Sequence, residues 1–190
     1  MKKKFIILGI VLVILVIGFI LISGKMKTID KIITETEKIS KLNNYYLKVV
    51  DESNNVIEIF YKDGNYIYTN LNNNVKRTIY VVNDEKLLIV DQNGSKTVTN
   101  LETEPAISEM PNADYYKTNN IFEKIKLALG LKTEKLDGKN VYKISDKNVS
   151  TWVDKDTYMI LQEDNGGIRK YELKPNTVEE SNLVKPDITE

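Results

Sequence analysis

The chain has 190 residues, with 27 basic and 27 acidic side chains and neither cysteine nor histidine. Without cysteine there are no disulfides, no thiolate-held clusters, no lipid attachment at a lipobox and no thiol catalysis; without histidine the commonest metal ligand and general base is gone. Setting Lys2, Lys3 and Lys4 aside leaves 24 basic residues against 27 acidic ones, so the remainder has no basic excess to draw nucleic acid.

Phe5 to Ile22 is an unbroken run of apolar residues and glycine, and no charge appears between Lys4 and Lys25. A helix rises about 1.5 Å per residue, so about 20 residues cross a hydrocarbon core of roughly 30 Å. Backbone polar groups in lipid must be satisfied internally, which leaves a helix as the state of a lone span. With three lysines on the short side, the positive-inside rule predicts a cytoplasmic start at residues 1–4, a transmembrane anchor at 5–24 and an extracytoplasmic domain at 25–190. A cleaved signal peptide also has a basic start, but its apolar region is usually about 7–15 residues and ends at a small-x-small site. Leu21-Ile22-Ser23-Gly24-Lys25 matches that site poorly, so a single-pass anchor held in the cell membrane through Phe5–Ile22 is expected.

Lys27 to Leu42 carries Ile29, Ile32, Ile33, Thr36, Ile39 and Leu42 at three- and four-residue spacing, an amphipathic helix whose stripe can pack on a sheet or continue along the membrane surface, packing being the commoner fate. From Tyr45 the period changes to two. Tyr45–Val50, Val56–Lys62, Asn65–Asn70, Val75–Val82, Lys86–Asp91 and Ser95–Leu101 read as six strands. Asp63-Gly64, Asn83-Asp84 and Asn93-Gly94 suit two-residue hairpins, and short links require antiparallel neighbours. With Asp63-Gly64 as the turn, Tyr61 faces Tyr66 and Ile59 faces Tyr68. One face then carries Ile57, Ile59, Tyr61, Tyr66 and Tyr68. In the following hairpins Tyr80 and Val82 share a face with Leu87 and Ile89, and Ile89 faces Val98. Ile57, Ile59, Tyr61, Tyr66, Tyr68, Tyr80, Leu87 and Ile89 make up the candidate apolar face for a ligand, with simple core as the competing reading.

Leu101 to Thr118 breaks the alternation with Pro105 and Pro111, a crossing loop with a helical turn expected near Ala106–Met110. Asn120 reads as the N-cap of a helix with Ile121, Phe122, Ile125, Ala128 and Leu129 on one face and Gly130 at its C′ position. Strands resume at Leu131–Leu136, Asn140–Ser145, Val149–Asp154, Thr157–Asp164 and Ile168–Leu173, with turns at Asp137-Gly138 and Gly166-Gly167. A further edge strand is expected near Leu183. The fold class is α+β: a curved antiparallel sheet or incomplete barrel of about eleven strands, covered by helices and preceded by one transmembrane helix.

The order of helix, long meander, helix-bearing interruption and closing strands resembles the periplasmic lipoprotein-carrier superfamily, the LolA/LolB-like fold. The closest local likeness is Thr151-Trp152-Val153-Asp154-Lys155-Asp156-Thr157-Tyr158, followed by Glu163, Asp164, Gly166 and Gly167, then Asn182 and Lys185-Pro186-Asp187. The resemblance implies a curved sheet around an apolar cavity lidded by helices, an acyl chain or lipid as ligand or a role in envelope sensing, and no catalytic centre, metal or cofactor.

Other side chains have blander readings. Trp152 is a packing anchor. Asp154 and Asp156 are turn residues before they are an acid/base pair or a cation site, and no Asp-x-Asp-x-Asp-Gly loop occurs. Glu102, Glu104 and Glu109 are solvated loop residues that a partner protein can reach. No serine has a histidine partner, and no glycine-rich phosphate loop is present. Two functions stay open: a membrane-anchored extracytoplasmic domain that binds an apolar ligand, or a non-catalytic envelope sensor or protein-interaction scaffold with a solid core.

Overall fold

The computed structural model describes residues 2–186 except 104, 106 and 108, and the side chains of 2–6, 8 and 9 lie outside the described set. The first element, α1, is a single uninterrupted helix, Lys2–Ile39. The anchor and the amphipathic stripe are parts of this one helix, so residues 21–28 are helical and supply no slack. No proline interrupts the run, and Gly18 and Gly24 are accommodated without a break.

The two halves of α1 differ in surroundings. From Ile10 to Leu21 its large side chains are exposed all round, as suits a helix with lipid on every side. Ile29, Ile32, Ile33 and Thr36 are buried against the sheet, the face read from their spacing. The buried Thr36 hydroxyl donates to the Ile32 carbonyl at 2.9 Å, so its burial leaves no orphan donor.

The strands are β1 (Asn44–Asp51), β2 (Val56–Lys62), β3 (Asn65–Asn72), β4 (Val75–Val82), β5 (Glu85–Gln92), β6 (Ser95–Asn100), β7 (Lys132–Leu136), β8 (Lys139–Asp146), β9 (Val149–Asp154), β10 (Ile160–Asn165) and β11 (Ile168–Pro175). They form one 11-stranded sheet in the order β6-β5-β4-β3-β2-β1-β11-β10-β9-β8-β7, and its neighbours pair antiparallel. The sheet is open, with β6 and β7 at its edges. The last strand returns to the first: Leu47 pairs with Leu173 and Val49 with Tyr171, which joins the two meanders into one sheet.

Turn chemistry sets the registers. Asp63-Gly64, Asn73-Asn74, Asn83-Asp84, Asn93-Gly94 and Asp137-Gly138 each have positive φ at both residues, the backbone of two-residue hairpins that matches strand twist. Lys62 accordingly faces Asn65, and Asn72 faces Val75.

The second helix, α2 (Ile121–Gly130), starts where expected: the Asn120 side chain accepts from the Phe122 N–H at 2.9 Å. Its buried residues are Leu127 and Ala128, whereas Ile121, Phe122 and Leu129 are exposed. The expected apolar face is therefore mostly turned away from the core. Gly130 is the last helical residue and not a left-handed C′ cap. It is needed for space, because a Cβ there would lie 2.7 Å from the Ser145 carbonyl oxygen on β8.

Other expectations are corrected at strand ends. Near Leu183 there is no strand but a short 3-10 helix, Glu180–Leu183. The strand expected from Thr157 begins at Ile160. Asp154 Oδ1 accepts from the N–H groups of Asp156 (2.9 Å) and Thr157 (3.0 Å), and Tyr158 sits at φ 58°, so the chain is still turning there. The helical turn expected near Ala106–Met110 falls partly on residues 106 and 108, which lie outside the described set; Ile107, Glu109 and Met110 are not helical.

Candidate functional site

One face of the sheet is built row by row from these registers. Tyr45, Tyr61 and Tyr66 pair in succession across β1, β2 and β3, as do Leu47, Ile59 and Tyr68, and then Val49, Ile57 and Asn70. The Tyr45 and Tyr61 rings stack at 5.0 Å between centroids, and Tyr61 and Tyr66 at 6.4 Å. This inner face meets the second half of α1, and with α2 and the segment around Tyr116 forms the main core.

Five of the eight residues singled out from the sequence, Ile57, Ile59, Tyr61, Tyr66 and Tyr68, lie together on this face. Ile59 and Tyr66 are 0% and 2% exposed, while Ile57, Tyr61 and Tyr68 are half-buried. The Tyr66 hydroxyl donates to the Pro105 carbonyl at 3.0 Å, which ties the crossing loop over the aromatic row. Burial pushes the Tyr45 hydroxyl up to about 12.

Tyr80, Leu87 and Ile89 lie on the opposite face. Tyr66 pairs with Val81, so Ile79 and Val81 continue the inner rows, whereas Tyr80 pairs with Ile67 and Leu87. The cause is the two-residue turn at Asn73-Asn74, which fixes the register between β3 and β4. The three residues that share the second face have their own cover. The chain after β11 crosses there: Asn44 brackets Val178 with bonds to its carbonyl and its N–H, both at 3.0 Å, and Lys62 pairs with Glu180 and Lys185 with Glu85. Leu87, Val178 and Leu183 are buried outside the main core cluster.

Beside the inner aromatic rows lies a polar group of residues that alternation alone did not pick out. Glu163 pairs in register with Arg169 and Thr151. Its Oε2 accepts from the Tyr171 hydroxyl at 2.7 Å, and the buried Tyr116 hydroxyl shares a 2.8 Å bond with Thr151. Burial pushes the Glu163 carboxyl up, opposed by Tyr171 and the Arg169 charge. Arg169 also faces Glu109 of the crossing loop at 3.9 Å. The side-chain oxygen of Asn70 is buried without a hydrogen-bond partner at the end of the Tyr68 strand. A register shift between Ile160 and Gln162 hides the parity of β10, which is why an inward glutamate was not visible from spacing.

The remaining candidates take their blander roles. Trp152 is buried, donates to Glu134 at 2.5 Å and carries Lys143 over its ring at 4.4 Å. Asp154 is a buried turn cap; burial pulls its carboxyl up, but the Thr157 and Asp156 N–H groups and Lys139 outweigh that and hold it low. Asp156 is exposed. Among the described residues no group of three or more acidic side chains is placed to hold a metal.

The residues around Ile10–Ile39 form a helix long and apolar enough to cross a membrane. Compared with known proteins, the chain matches no family model and no curated protein.

Proposed function

We propose that this chain is a non-catalytic recognition module fixed to the extracytoplasmic face of the cell membrane, a sensor or scaffold whose sheet is held in one orientation by its own anchor. The observation that carries this reading is the continuity of α1. Its first half is apolar all round, and its second half supplies Ile29, Ile32 and Ile33 to the sheet core. A helix entering a packed core leaves no flexible linker, so the domain works at the membrane surface and does not deliver cargo to a distant one. The lysines before the span support a sheet on the outer side, by the positive-inside rule. Ile59 and Tyr66 are consumed in packing, which favours a solid core over a ligand cavity.

A second reading follows from the half-buried Ile57, Tyr61 and Tyr68 beneath the crossing loop. A strongly curved sheet, an incomplete barrel of the lipoprotein-carrier kind, would hold an acyl chain there. Titration of the purified full chain with a fluorescent fatty acid separates the two. The scaffold predicts no saturable uptake that depends on the inner face. Stoichiometric uptake lost in Ile57→Ala and Tyr68→Ala variants would replace it with the carrier-like reading. A reporter fused after residue 190 tests the orientation: activity restricted to the cytoplasm would refute it.

A further inference from the structure

The sheet face turned away from α1 carries a cleft of about 280 Å³ between the β7–β8 hairpin tip and strands β1 and β11. The registers show which side chains reach it. Residues directly opposite in antiparallel strands share a face, and so do residues two apart in one strand. Lys48 pairs with Glu172, Val50 with Lys170, Lys170 with Gln162 and Gln162 with Trp152, all on the face opposite to Leu47, Val49 and Leu173. Trp152 pairs with Lys143, which puts Lys139 and its partner Leu136 on that same outer face. Three strands separate β7 from β11, so the hairpin tip bends over this face to bring Asp137 to 3.8 Å from Lys170.

Gln162 is the buried polar group of the cleft. It is 7% exposed, yet its side-chain amide has no hydrogen-bond partner among the described residues. It is not sealed off as the Asn70 oxygen is, and it opens on the cleft. Leu161 beside it sits at the register shift of β10 and is half-buried, as are Val50 and Leu136, so apolar surface flanks the amide. The charges of the lining nearly cancel. Asp137 is answered by Lys170, Glu172 by Lys174 at 2.8 Å, and Lys139 lies 3.9 Å from Asp154. The bond from Lys174 holds the Glu172 carboxyl low against its burial, with smaller help from Lys48 and Lys139, which places both ammonium groups near it. Lys48 itself makes no hydrogen bond and no direct ion pair among the described residues, so one cation of the lining is left over.

We propose that this cleft binds the C-terminal residue of a peptide whose last side chain is apolar. Its carboxylate lies on Lys48, its peptide group on the Gln162 amide, and its side chain against Leu136, Leu161 and Val50. One negative charge balances the lining, whereas a phosphate dianion would not. The Gln162 amide offers a donor and an acceptor, the complement of a peptide group. A volume at the small end of ligand sites, which run to roughly 300–1,000 Å³, suits one residue and its linkage. The assignment rests on the recognition reading and deepens it by giving the module a ligand class and a site outside the inner face.

The test is titration of the full chain in detergent micelles with N-acetyl-alanyl-leucine and with its C-terminal carboxamide. Trp152 is the only tryptophan and lies opposite Gln162, so its fluorescence reports occupancy, with equilibrium dialysis as the second measure. The carboxylate peptide should bind saturably and its carboxamide about tenfold more weakly. Lys48→Gln should weaken the carboxylate peptide about tenfold and leave the carboxamide unchanged, a pattern that misfolding would not produce. Gln162→Ala should weaken both about fivefold, and Lys96→Gln, on β6 and outside the cleft, should weaken neither. Absence of saturable binding by both measures, equal affinity for the two peptides, or an unchanged affinity in Lys48→Gln would overturn the site. Free leucine or inorganic phosphate binding as tightly as the peptide would overturn the ligand class. Any of these leaves the anchored module standing, because the cleft lies on the face away from α1.

Discussion

The two halves of α1 are one helix with two kinds of surface. Between Ile10 and Leu21 the exposed side chains are Val, Leu, Ile and Phe with no polar stripe, whereas from Ile29 to Thr36 the buried positions recur every three or four residues between Lys31, Glu35 and Lys38. Continuous backbone hydrogen bonding serves both. The first half has the length and apolar surface to satisfy its backbone in a membrane, and the second uses the helix to present one face to a sheet. The difference teaches that apolar content says little about the fate of a helix, and that the distribution of that content around the axis says a great deal.

The largest effect that can break this comparison is a charge on the core half. Ile32 is fully buried, so Ile32→Asp should cost about 4 kcal/mol or more and leave the sheet unfolded, read as lost protection against protease. The matching change on the other half is Ile14→Lys. It should weaken membrane integration by about 3 kcal/mol, measured by alkaline extraction, while Trp152 fluorescence in the folded sheet is retained. A cooperative loss of both signals in that variant would show that the halves are not independent.

Smaller changes sharpen the junction. A Cβ at Gly24 meets nothing within 4 Å, so Gly24→Ala should stiffen the helix where its two halves meet. A gain of about 0.5–1 kcal/mol is expected in thermal unfolding. The smallest effect concerns Glu163, which accepts from the Tyr171 hydroxyl on the inner face of the sheet. Its folded carboxyl is raised by burial, so its favourable contribution is complete below the ordinary glutamate range and is lost as pH rises through the raised value. Glu163→Gln should therefore be more stable than the parent at neutral pH, and the two unfolding midpoints should converge as the solution is acidified. A constant difference across that range would refute the buried, raised carboxyl.

Strands, most turns and the buried stripe of α1 were legible because each rests on a local rule. Val56–Lys62, Val75–Val82 and Val149–Asp154 were bounded correctly, and Tyr61 opposite Tyr66 followed from Asp63-Gly64 alone. The candidate face was legible only within one hairpin. Carrying it on to Tyr80, Leu87 and Ile89 required the register set by Asn73-Asn74, and a shift of one residue there turns every side chain over. Gly130 showed the same limit: a glycine after a helical pattern reads as a cap, yet this one is required by the Ser145 carbonyl of another element. The bond from Lys25 to the Leu131 carbonyl had no signature at all, since its two ends are 106 residues apart in the chain.

By itself the amino-acid sequence determined the periods, and with them the elements: an apolar run without a stripe, a helix with one, and pairs of strands closed by Asn, Asp and Gly at positive φ. These are properties of neighbours in the chain, where sterics and local hydrogen bonds act. Only the tertiary structure decided which apolar residues meet. It joined span and core helix without a break, returned β11 to β1, folded the tail over Leu87 and turned Ile121 and Phe122 outward. Burial is a property of what lies opposite, and the residue opposite is chosen by the packing of the whole sheet.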